Sequence, residues 1–86
     1  MPTVLRVHGF RVLLFFPPRE HPPPHVHVTN AAGVVVIELG VAGRRQVVRK
    51  NLGMSARDVS EAERIVAEHT DFLYERWTKL WQNPTP

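Results

Sequence analysis

Three of the five histidines fall within the seven residues His21 to His27, in the stretch His21-Pro22-Pro23-Pro24-His25-Val26-His27-Val28. An imidazole can bind a metal ion through a ring nitrogen or trade a proton near neutral pH. Side chains two apart on a strand share a face, so His25 and His27 stand side by side if this stretch is extended. That His-x-His spacing is used in zinc and iron sites. His21, across the prolines, and Glu38, from the next apolar run, complete a candidate set for a divalent ion such as zinc. Each proline fixes φ and stiffens the approach, which is the preorganisation a metal site needs.

The same pair, His25 and His27, are candidate catalytic groups for acid–base work on a phosphodiester. Arg44, Arg45, Arg49 and Lys50 crowd into seven positions and form the candidate binding cluster. Arg44, Arg45 or Arg49 could meet developing phosphate charge. Two known signatures are not matched. The histidine-triad hydrolases need a third alternating histidine, where this chain has Thr29. The two-histidine phosphoesterases need His-x-Thr twice, and His27-Val28-Thr29 is the one copy. No serine or cysteine nucleophile motif, glycine-rich phosphate loop or paired-carboxylate spacing is present. Two blander readings stand beside these. The histidines would be solvated sheet residues or face a partner chain, and the basic cluster would be a solvated loop.

The elements that must position these groups are legible from periodicity. Thr3 to His8 alternates, Gly9 punctuates, and Phe10 to Phe16 is rich in β-formers, which together predict a hairpin around His8-Gly9. Pro17-Pro18 ends the second strand. His25 to Thr29 alternates as a third strand, Asn30-Ala31-Ala32-Gly33 is a turn signal, and Val34 to Leu39 is a β-branched fourth strand. With Val35, Ile37 and Leu39 inward, Glu38 emerges on the face of His25 and His27, and His8 could share it. Residues 46–49 form a short edge strand.

Ser55 and Asp58 make an S-x-x-D capping signature. Beyond them Val59, Ala62, Val66, His69, Leu73, Trp77 and Leu80 fall on one helical stripe, opposite Arg57, Glu61, Arg64, Glu68, Asp71, Glu75 and Lys79. His69 reads as a hydrogen-bonded core histidine. The continuous stripe predicts one helix over about 56–82, some 40 Å long at 1.5 Å per residue. A globule of this length is only about 30 Å across. The helix therefore either breaks near His69-Thr70-Asp71 or carries Trp77, Leu80 and Trp81 out as an overhang. An overhanging Trp77–Trp81 end would join a homodimer; packed back, it is core.

Eighty-six residues without cysteine allow one domain, 1–86, with no disulfide and no thiolate metal site. Residues 1–50 are mainly β, 55–82 helical, and 83–86 a frayed tail. The apolar run Val12 to Phe16 is far too short to span a bilayer, so a cytoplasmic protein without membrane contact is expected. Residues 1–50 carry seven Lys/Arg against two acids, and residues 51–86 carry four against six.

The chain resembles the prokaryotic family known as domain of unknown function 4160 (DUF4160). The resemblance rests on Met1-Pro2-Thr3-Val4-Leu5-Arg6, Gly9-Phe10-Arg11, the proline–histidine block, Arg49-Lys50-Asn51-Leu52-Gly53-Met54-Ser55-Ala56 and a final helix with Trp77. Segment 40–48 departs from it. The resemblance implies a small stand-alone bacterial protein of a toxin–antitoxin-like two-gene module, with a small protein partner encoded nearby. It implies no mechanism. The combined expectation is an α+β fold, an antiparallel sheet of four to five strands with one long C-terminal helix on one face. Its expected function is binding a protein partner or RNA through the histidine face and basic loop. The alternative is a small metal- or histidine-dependent nuclease.

Overall fold

His8 and Gly9 adopt φ of 49° and 83°, the left-handed conformations a two-residue hairpin turn demands. They join β1 (Thr3–Val7) to β2 (Phe10–Leu13), with Val7 opposite Phe10 and Arg6 opposite Arg11. The computed structural model describes residues 3–15 and 23–82, with the side chains of 81 and 82 left aside. Phe16, Pro17, Pro18, His21 and the expected frayed tail lie outside the described residues.

Three further strands follow: β3 (His25–Thr29), β4 (Val34–Glu38) and β5 (Val47–Leu52). They form one five-stranded antiparallel sheet in the order β1-β2-β3-β4-β5. β5 is longer than the short edge strand expected from the sequence, because the pairing runs on from Glu38–Val47 to Val34–Leu52. Its register shifts between Val36 and Ile37, so Arg49 falls between the paired positions.

Alternation sorts the sheet into two faces. Phe10, Val12, Leu14, Val26, Val28, Val35, Ile37 and Leu39 are buried in one core cluster, and Leu5 and Val7 pack against it. These include Val35, Ile37 and Leu39, the residues expected to point inward. Burial of these branched side chains, each worth about 1.5–3 kcal/mol, is the main force holding the sheet to the helices.

The expected single helix is two, α1 (Ala56–Glu68) and α2 (Thr70–Gln82). Ser55 caps α1 as anticipated, its hydroxyl accepting from the Asp58 N–H at 3.1 Å. The break falls at His69, which leaves helical geometry at φ −121° and ψ 20°. Its Nδ1 lies 2.8 Å from the Ile65 carbonyl, and the Thr70 hydroxyl donates to the Val66 carbonyl at 3.1 Å. Side chains thereby satisfy carbonyls at the end of α1. A straight helix of the full span would exceed the longest dimension of the molecule, 35 Å. Breaking it lets Ala62, Ile65 and Val66 of α1 and Leu73 and Trp77 of α2 enter the same core. Trp77, 4% exposed, is thus a core residue rather than part of an overhang. No described helix is long and apolar enough to cross a membrane.

Two turns lock the start of α1 to the sheet. Asn30 Oδ1 accepts from the N–H groups of Ala32 and Gly33, and its amide donates to Asp58 at 3.0 Å. Asn51 does the same for Met54, accepting from its N–H and donating to its carbonyl. Between these turns Gly33 packs so closely that a Cβ would lie 2.0 Å from the Leu52 carbonyl oxygen.

Candidate functional site

The face of the sheet turned away from the core cluster collects the residues with chemistry. Two cross-strand rows carry them. In one, Leu13 lies opposite His27, His27 opposite Val36 and Val36 opposite Lys50. In the other, His25 lies opposite Glu38, and Glu38 opposite Val47. The hairpin register is the simple one, so His25, His27 and Glu38 share a face as the alternation predicted.

The two histidines differ in setting. His25 is 2% exposed. Its Nδ1 lies 2.9 Å from the Pro23 carbonyl, which makes that nitrogen the donor. Its ring packs 5.2 Å from the ring centre of Trp77, at the point where that side chain reaches both the core and the sheet. The proline brace read from the sequence thus acts partly through a backbone carbonyl. His27 is half-buried and meets the edge of Phe15, with ring centres 4.9 Å apart. The imidazoles themselves are 5.6 Å apart.

Glu38 is committed to cations. Arg49 Nε donates to it at 3.1 Å and an Arg44 terminal nitrogen lies 3.7 Å away. The carboxylate is the less exposed member of both pairs. Two of the four residues in the expected binding cluster are therefore partly neutralised, while Arg45 and Lys50 are exposed. His21 lies outside the described residues. No group of three His, Asp or Glu side chains among the described residues is placed to hold a metal ion. His8 sits in the hairpin turn at the far end of the sheet from His25, so it does not join the pair.

Sequence reasoning passed over Arg6 and Arg11. They face each other across β1 and β2, on the same side as Leu13 and His27. The signal was present, since a two-residue turn at His8-Gly9 fixes their pairing.

The sequence profile of the family described as domain of unknown function (DUF4160) matches residues 9–78. The chain belongs to that family. The DUF4160 match takes in β2 to β5 from Gly9 onward, the proline–histidine block, the Asn51–Ser55 turn, α1, and α2 through Thr78. No curated protein and no solved structure matches the chain.

Proposed function

We propose that this DUF4160 protein is the binding component of a toxin–antitoxin-like two-gene module. It engages an acidic surface of a small partner protein through the outer face of its sheet. One observation carries the reading: charge is divided between the two sides of the molecule. Arg6, Arg11 and Lys50 project from the outer face, where Arg44 and Arg49 converge on Glu38. Six of the eight carboxylates belong instead to α1 and α2. Apolar Val34, Val47 and Leu52, half-buried or exposed, lie among the cations, the mixture of apolar anchor and charged margin that protein interfaces use.

The test is coexpression with the product of the neighbouring gene, followed by titration of the purified pair. Arg49→Glu with Lys50→Glu should weaken association at least about tenfold while circular dichroism stays unchanged. A complex indifferent to these reversals would sink the assignment of this face. If RNA shifted the protein's mobility and no protein partner bound, the partner class would be wrong.

A second reading, a histidine-dependent nuclease, draws support from His25 and His27 lying on one face with rings 5.6 Å apart. In it half-buried His27 is the acid–base group, His25 the braced one, and His21 and Glu38 complete a site for a divalent ion such as zinc. Cleavage of RNA that disappears in a folded His27→Ala variant supports it. Absence of cleavage with and without added zinc excludes it, and elemental analysis of the His25→Ala, His27→Ala protein tests the ion separately.

A further inference from the structure

The cluster most conspicuous in the sequence is tempered by Glu38, whereas the fold builds a second cationic pair with no such partner among the described residues. Arg6 and Arg11 are directly opposed across β1 and β2. Neighbours in this relation stand with Cβ atoms about 5 Å apart, and like charges so placed repel. Among the described residues, every ion pair to a carboxylate is made by Arg44, Arg49, Arg64 or Lys79. Arg11 is nevertheless only partly exposed.

These two side chains line a depression of about 520 Å³ between the β1–β2 turn and the β3–β4 turn. His8 stands on one rim, Thr29 continues the cross-strand row from Arg11, and Asn30 and Ala31 close the other rim. Asn30 holds one of its amide N–H groups to Asp58 and its carbonyl oxygen to the turn, so its side chain fixes the shape of the rim. The carboxylate that senses His8 is Glu61, and it is held by Arg64. The depression and the Glu38 site belong to opposite ends of the sheet. Thr29 is four residues along β3 from His25, about 13 Å at strand rise.

We propose that Arg6 and Arg11 form a binding site for a phosphate monoester dianion, with Thr29 and His8 at its margin. Two guanidinium forks present a double positive charge and several N–H donors, which suits a dianion with three terminal oxygens better than a single carboxylate. Binding would also relieve the repulsion that the hairpin register imposes. Arg6 and Arg11 also lie on the face proposed for the partner protein, but phosphate binding requires neither that partner nor the histidine pair, so a titration of the isolated chain tests it separately. The chemistry has two sources, a free nucleotide or the phosphorylated end of an RNA.

The experiment titrates inorganic phosphate into the full chain at constant ionic strength, with chloride as the reference anion, following arginine side-chain nitrogen resonances. Saturable shifts at Arg6 and Arg11 are expected. Arg6→Gln and Arg11→Gln should each lose roughly tenfold or more in affinity, whereas Arg76→Gln on α2 should lose nothing measurable. Arg11→Gln should also melt higher than the unmodified chain in chloride and lose the rise in melting temperature that phosphate produces. Titrations with a nucleoside monophosphate, and with an RNA oligomer bearing either a 5′-phosphate or a 5′-hydroxyl, then separate the sources. Non-saturable shifts, or equal affinity in the Arg6→Gln, Arg11→Gln double variant, would overturn the site.

Discussion

At the scale of single residues, the fold depends on side chains that stand in for backbone. Asn51 closes its turn with both ends of its amide, Asn30 closes its own with the carbonyl oxygen and reaches Asp58 with the nitrogen, and Gly33 leaves the gap into which the Leu52 carbonyl fits. A methyl group at position 33 has no room, because the atom it meets is backbone and cannot swing aside. Gly33→Ala should cost about 3 kcal/mol, lowering the melting temperature by roughly 10–20 °C, as calorimetry would read. His25 is the other telling residue. Its buried ring and its contact with Pro23 predict that His25→Ala costs about 2 kcal/mol, and that His27→Ala costs less than half of that in the same denaturant titration. Equal losses would mean that the bracing of His25 is not what holds the strand start. The sharing of a face by His25, His27 and Glu38 was legible, because alternation and a short turn fix it. The burial of His25 was not, since the Trp77 ring that packs on it comes from far along the chain, an approach no local pattern encodes.

At the scale of elements, the strands announced themselves through alternation and the helix start through Ser55 and Asp58. The helix break was half legible. Periodicity ran through His69 uninterrupted, since a stripe says which face is apolar and nothing about the straightness of the axis. Length against the size of the globule carried the contrary signal, and tertiary packing decided in its favour. Ser55→Ala removes the hydroxyl that accepts from Asp58 and should cost about 1 kcal/mol, measured by urea unfolding. A smaller electrostatic contribution comes from Arg64, which pairs with both Glu61 and Glu68 on the surface of α1. Hydrogen bonding to Arg64 holds the Glu61 carboxyl below the usual carboxylate range. The support it lends is therefore present above that range and lost as the pH falls through the lowered value. Because Glu61 is exposed, salt screens this contribution. An acid titration of α1 signals should shift upward for Glu61 in an Arg64→Gln variant.

At the scale of the whole molecule, the sheet presents cations and the helices carry carboxylates, so the domain is electrically two-sided although its formal net charge is only +3. An oriented protein of this kind should meet an acidic partner at a rate that falls with ionic strength. The measurement is stopped-flow association at low and high salt, with the slope reduced in Arg49→Glu, Lys50→Glu. A salt-independent rate would assign recognition to apolar contacts instead. The division was visible in the sequence as an excess of bases before residue 50 and of acids after it. The pairing of Glu38 with Arg44 and Arg49 was not, because it joins β4 to a bulged β5 whose register the sequence leaves open.

The same bulged strand has a consequence for solubility. β5 closes the sheet on one side with exposed Val47 and Leu52, 46% and 53% accessible, and such a rim is a template on which further copies can stack. Arg49 and Lys50 interrupt it midway, and the shifted register breaks the even spacing that a stacking strand must match. They act as gatekeepers against fibril-like association. Replacing them with apolar residues should therefore also show in concentrated stocks, as a lower solubility limit.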